Sequence, residues 1–113
     1  MAQFYEIVID QGTTCEQELS LFNEDDSPVD LFGYTARMQV RSSPSSPKVV
    51  DELTTENGRI KISGGMLTLH WKAEKTSSIP AGGYRYDIEI ESADGNVERI
   101  LEGALIIRRE VTR

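Results

Sequence analysis

The chain has 113 residues, 38% of them hydrophobic and 27% charged, and nineteen Asp and Glu against twelve Lys and Arg leave a formal charge of −7. That length suits one domain over residues 1–113, with a core large enough to fold without covalent staples, and the acidic balance speaks against sequence-independent nucleic-acid binding, which needs clustered cations. A single Cys and a single His exclude an intrachain disulfide, a cysteine zinc cluster and a multi-histidine metal site within one copy.

Strand signals dominate the chain and recur at short intervals. Residues 4–10 (FYEIVID) are rich in β-branched and aromatic side chains and stop at Gln11-Gly12. Residues 13–21 alternate, with Cys15, Gln17, Leu19 and Leu21 on one face and Thr14, Glu16, Glu18 and Ser20 on the other. Period two with charges at every second position is a half-buried strand with one wet face. Residues 23–28 (NEDDSP) form a turn by their chemistry. After the short apolar stretch 29–33, the next strand sets Tyr34, Ala36, Met38 and Val40 on one face and Thr35, Arg37, Gln39 and Arg41 on the other.

A Ser/Pro loop follows at 42–47, where proline cannot join a central strand. Residues 49–53 read as a short edge strand, Asn57-Gly58 as a tight turn before the strand 59–62, and Gly64-Gly65 as a further break. Residues 66–71 resume alternation, with Leu67, Leu69 and Trp71 inward and Thr68 and His70 outward. Residues 72–78 suit a single helical turn stopped before Pro80. In the strand 84–91, Tyr84, Tyr86, Ile88 and Ile90 alternate with Arg85, Asp87, Glu89 and Glu91. Asp94-Gly95 supplies a hairpin turn, and the last strand, 97–107, carries Gly103 in its middle, which predicts a bulge or bend there. Residues 108–113 form a charged tail, expected to fray unless held.

Seven or eight strand segments in so short a chain, almost all of them alternating, predict antiparallel sheets packed face to face: an all-β, immunoglobulin-like β-sandwich of seven to eight strands, with a small β-barrel as the alternative. The run Ile79-Pro80-Ala81-Gly82-Gly83-Tyr84 looks like the tyrosine corner of such sandwiches. With no Cys–Cys bridge, Trp71 and the aliphatic positions carry the core. The expected structural residues are Tyr34, Met38, Leu69, Trp71, Tyr84, Tyr86 and Ile88.

No catalytic, cofactor or metal set emerges. His70 on a wet face has no accompanying nucleophile or orienting group in any motif. Cys15 shares a face with Leu19 and Leu21 and is flanked by Glu16 and Glu18, which suits a core thiol rather than a reactive thiolate. Asn23, Glu24, Asp25, Asp26 and Asp30 cluster oxygens without the spacing of a calcium loop, and Gly64-Gly65 and Gly82-Gly83 are turn glycines rather than a phosphate cradle. Arg37 and Arg41 share one strand face, and Arg108 and Arg109 stand in the tail; these read as parts of a mixed protein–protein contact surface.

Three runs, PVDLFGYTARMQVR at 28–41, LTTENGRI at 53–60 and IPAGGYRYDIEI at 79–90, the last followed by Asp94-Gly95 and Leu101-Glu102-Gly103, resemble small virion proteins of tailed bacteriophages. They are also similar to the amino-terminal immunoglobulin-like domain of phage baseplate upper proteins, which attaches receptor-binding parts to the tail. The resemblance spans about residues 4–112, and its motifs are turn prolines, corner glycines and core aromatics. It implies a non-enzymatic structural protein of the tail, baseplate or fibres, or alternatively a capsid decoration protein. It also implies a docking module alone, since baseplate upper proteins continue into long receptor-binding regions. Cys15 departs from the larger apolar residue expected there.

The implied partners are other virion proteins, including copies of the chain itself, with no nucleic acid and no membrane insertion. The implied location is the virion after cytoplasmic synthesis, because the start MAQFYEIVIDQG lacks a signal segment and no apolar run approaches a span of roughly eighteen residues. The edge strand with Val49 and Val50, the Ser/Pro loop and the termini with Arg108 and Arg109 are the expected assembly contacts, with Asp51 and Glu52 blunting the edge. A reading of another class is a host-surface carbohydrate-binding module, for which only Tyr5 and Phe32 remain as exposed aromatics.

Overall fold

A computed structural model describes residues 3–112; Met1, Ala2 and the end of the tail at Arg113 lie outside the described residues. The described residues form nine strands and one short helix, in order β1 (Gln3–Phe4), β2 (Ile7–Asp10), β3 (Cys15–Ser20), β4 (Thr35–Arg41), β5 (Asp51–Thr54), β6 (Ile60–Ser63), β7 (Met66–Trp71), α1 (Ala73–Ser78), β8 (Gly82–Glu91) and β9 (Val97–Arg108). The larger sheet runs β1-β9-β8-β4-β5, with β2 also paired to β9, and the smaller runs β3-β7-β6. The sheets keep separate edges instead of closing on one another, so the fold is an all-β, immunoglobulin-like sandwich and not the alternative barrel.

Alternation sets the core. Ala36, Met38 and Val40 of β4, Tyr86, Ile88 and Ile90 of β8, and Leu67, Leu69 and Trp71 of β7 are all buried. Met38 and Ile88 are direct cross-strand partners at its centre. Each such fully buried aliphatic side chain contributes about 1.5–3 kcal/mol relative to exposure. Tyr34 and Tyr84 are half-buried and pack against this cluster. The Tyr84 hydroxyl donates to the Pro80 carbonyl at 2.6 Å, the backward bond of a tyrosine corner. Helix α1 is too short to stand alone. Its buried Thr76 holds it, accepting from Gly12 N–H at 3.0 Å and donating to the Thr13 carbonyl at 2.8 Å.

Four expectations are corrected. The strand 4–10 is interrupted at Tyr5-Glu6, and both of its pieces pair parallel, not antiparallel, with β9. The interruption lies over Gly103, where a Cβ would stand 2.1 Å from the Tyr5 carbonyl oxygen. Tyr86, paired with Gly103 across the sheet, donates its hydroxyl to that same carbonyl at 2.6 Å. The glycine therefore makes room for a crossing backbone. The bulge falls instead at Ile100, which is skipped as Ile88 faces Leu101 and Glu89 faces Arg99.

The tail does not fray from Arg108. Gln11 N–H donates to the Arg108 carbonyl at 2.9 Å, and Glu110 N–H donates to the Gln11 side-chain oxygen at 3.1 Å. Finally, Asp51 does not blunt the edge as an exposed charge; its side chain is buried.

Candidate functional site

Asp51 has the same parity as Leu53, so its side chain points into the sandwich. Parity was the signal available in the sequence; treating the acid as an edge charge overlooked it. Arg59, entering β6, grips the carboxylate with two parallel bonds, Nη1 to Oδ1 at 2.7 Å and Nη2 to Oδ2 at 2.9 Å. Trp71 Nε1 donates to Oδ2 at 3.1 Å, and Lys75 Nζ of α1 lies 3.4 Å from Oδ1. Burial pushes the Asp51 carboxyl up, but hydrogen bonds from Arg59 and the charges of Arg59 and Lys75 outweigh it and hold the group below its ordinary value. One carboxylate thus ties the larger sheet to the smaller and to the helix.

The same residues close the β5 edge. Thr55 N–H bonds to the Ala36 carbonyl on β4, so alternation turns the N–H and C=O groups of Glu52 and Thr54 outward. Glu52 N–H donates to Asp51 Oδ1 at 2.9 Å, and the Glu52 carbonyl accepts from Arg59 Nη1 at 2.9 Å and Asn57 Nδ2 at 3.2 Å. Thr54 N–H donates to Asn57 Oδ1 at 2.9 Å. Three of these four groups, all but the Thr54 carbonyl, are therefore taken up internally, against the expectation of free groups there. Val49 is partly exposed and Val50 half-buried, so contact through this segment falls to side chains.

The opposite edge of the larger sheet differs. Phe4, Tyr5 and Val8 are 64%, 42% and 47% exposed, an apolar run along β1 and β2. Arg85 of β8 lies over the Phe4 ring at 5.4 Å, a cation–π contact on the outer face. Gln17 of β3 donates to the Tyr5 hydroxyl at 3.3 Å. Arg108, an expected contact residue, donates to Asp10 Oδ1 at 2.6 Å, and this bond lowers the Asp10 carboxyl. Arg109 is exposed.

Farther along the outer face, paired charges form a lattice rather than a single-sign patch. Arg37 meets Glu89 at 2.9 Å and Glu91 at 3.6 Å, and Arg99 meets Asp87 at 3.4 Å. Arg41 is occupied by the Ser46 carbonyl and Gln39. His70 is half-buried opposite Glu16 on β3 and lines an open surface hollow with Lys72 and Glu74. Cys15 is half-buried; burial, then the charges of Asp10 and Glu16, push its thiol up, away from thiolate chemistry.

The acidic turn uses its oxygens on itself: Asp25 Oδ1 accepts from Ser27 N–H at 3.0 Å, and Asp30 Oδ1 from Phe32 N–H at 3.0 Å. Among the described residues, no group of three or more His, Cys, Asp and Glu side chains is placed to hold a metal ion, and no helix is long and apolar enough to cross a membrane.

No family model matches the chain, and no curated protein matches it. Solved structures similar to it include CopC from Methylosinus trichosporium OB3b, at 16% identity over 69% of this chain and 66% of that one, with a TM-score of 0.42. The GspB Siglec domain matches at 17% identity over 93% of this chain and 54% of that one, with a TM-score of 0.47. Murine CRIg matches at 14% identity over 93% and 92%, with a TM-score of 0.38. The chain thus spans about two-thirds of the CopC structure and about half of the Siglec-domain structure.

Proposed function

We propose that the chain is a non-enzymatic assembly domain of a tailed-bacteriophage particle. It acts as an adaptor of the tail, baseplate or fibre region through contacts with other virion proteins, copies of itself included. The observation that carries the protein–protein part is the exposed apolar run Phe4, Tyr5 and Val8 along one sheet edge, beside a face whose charges are largely paired. Runs of exposed apolar groups on a small domain mark contact surfaces. The virion part is supported by the sequence resemblance at residues 28–41, 53–60 and 79–90. A capsid-decorating position in the same particle would use the same surfaces. Contacts repeated over many copies can each be weak.

Peptide mass spectrometry of gradient-purified particles of the encoding phage tests this reading. The expected result is the chain at constant ratio to the tail proteins. Its recovery only from the soluble lysate, with none in the particles, overturns the proposal.

A carbohydrate-binding reading has one observation in its favour: Phe32 and Phe22 are 93% and 61% exposed on the loop between β3 and β4. Titration of the chain with cell-wall glycans, followed by the resonances of both rings, decides it. Saturable shifts at millimolar glycan support sugar binding, and unmoved rings remove it.

A further inference from the structure

The two edges of the larger sheet are built differently. At β5, three of the four outward backbone groups of Glu52 and Thr54 are bonded by Asp51, Asn57 and Arg59. At β2 the ladder bonds Tyr5 N–H to the Glu102 carbonyl and Gln11 N–H to the Arg108 carbonyl, at 2.9 Å each. Alternation then directs the odd residues Ile7 and Ile9 toward β9 and turns the N–H and C=O groups of Glu6 and Val8 outward. Among the described residues, strand β2 pairs with β9 alone, and Glu6 and Val8 are exposed. Asp10, next in the row, already spends its carbonyl on Thr13 and its carboxylate on Arg108.

From this contrast we infer that β2, with Glu6 leading into it, is the docking edge of the domain, receiving an extended segment of a partner protein that carries a basic and an apolar residue two positions apart. The inference rests on the assembly reading and names its partner chemistry. The backbone of Glu6 and Val8 supplies the ladder, as in strand addition to an open sheet. Glu6 then faces a partner cation, Val8 an apolar side chain, and Phe4 and Tyr5 extend the apolar contact. Glu16 and Glu18, exposed on the adjacent edge strand β3 of the smaller sheet, add to the negative field, as does the net charge of −7. The same charge speaks against a second copy as occupant. Two-fold antiparallel pairing centred on Val8 sets Glu6 against Asp10 of the other chain twice, and like charges directly opposite destabilise a strand pair.

The test uses the full chain and a short synthetic peptide of Lys-Thr-Val-Thr repeats, which sets lysine and valine two positions apart on one face, with an otherwise identical peptide N-methylated at alternate backbone nitrogens. Amide exchange of Glu6 and Val8 is read by NMR. Both amides are expected to exchange freely in the chain alone and to be protected by the peptide, with binding weakened about tenfold or more by N-methylation, each tenfold being about 1.4 kcal/mol. Glu6→Lys should weaken binding while leaving the Trp71 fluorescence of the folded domain unchanged. Unprotected amides at millimolar peptide, or equal binding of the methylated peptide, overturn the proposal. So does protection that grows with protein concentration alone, which would make a second copy the occupant. A chain present in particles but with an unresponsive β2 rejects the edge and leaves the assembly reading standing.

Discussion

Asp51 is the side chain on which the two layers meet, and its removal separates the contributions of charge and packing. Asp51→Asn leaves Arg59 without its carboxylate and should cost about 3 kcal/mol, the scale for breaking one side of a buried ion pair. Its folded-state pKa is lowered, so the stability it supplies is present above the unfolded carboxylate value and is lost as pH falls through the folded one. Urea titrations from neutral pH downward should therefore show the gap between wild type and Asp51→Asn closing below about pH 4. A gap that stays constant to pH 2 would mean that the carboxylate charge is not what ties the layers.

Gly103 answers to a different cause, since its missing Cβ leaves space for the Tyr5 carbonyl. Gly103→Ala should destabilise by about 1–3 kcal/mol through forced backbone movement. Tyr86→Phe, which strips the same carbonyl of its 2.6 Å donor, should cost about 1–3 kcal/mol, the range for a buried group left unpaired. Because both act on one carbonyl, the double variant should lose less than the sum, measurable by thermal or urea unfolding. Strict additivity would place the two residues on separate events.

At the scale of elements, alternation makes the inner faces of β4, β7 and β8 readable in the sequence, because a period of two is a local property of each strand. The corner was readable as well: Tyr84 follows Pro80 and two glycines, and its hydroxyl reaches the Pro80 carbonyl. What local pattern does not encode is which strand lies beside which. The parallel pairing of β1 and β2 with β9 joins the two ends of the chain, and nothing in residues 4–10 announces it. The ion cluster was hidden for the same reason, since Asp51 meets Arg59, Trp71 and Lys75 only through the fold. The apolar edge was half legible: Tyr5 stood out as an exposed aromatic, while Phe4 and Val8 were absorbed into a strand taken as continuous.

The β5 cap yields its own expectation. Asn57→Ala removes the acceptor of Thr54 N–H and one donor to the Glu52 carbonyl. Amide exchange at Thr54 should quicken about tenfold, matching loss of roughly one net hydrogen bond. Concentration-dependent association should rise as the edge opens. Unchanged exchange at Thr54 would show that another group covers that edge.

As a whole, the molecule is an elongated sandwich of 44 × 28 × 26 Å in which the long β8–β9 hairpin forms the spine. Its two large-sheet edges have opposite character, one largely covered by its own side chains and one lined with exposed apolar groups. The charged lattice on the outer face is held together within the domain by Arg37 and Arg99. Exposed pairs of this kind add little to stability but keep that face wet.

Cryo-electron microscopy of the intact particle is the direct measurement. The expected result is density for this sandwich in the tail or baseplate region, with a neighbouring protein strand laid along β2 and the β5 edge left unpaired. A particle complete without any density for the domain would contradict the assembly role itself.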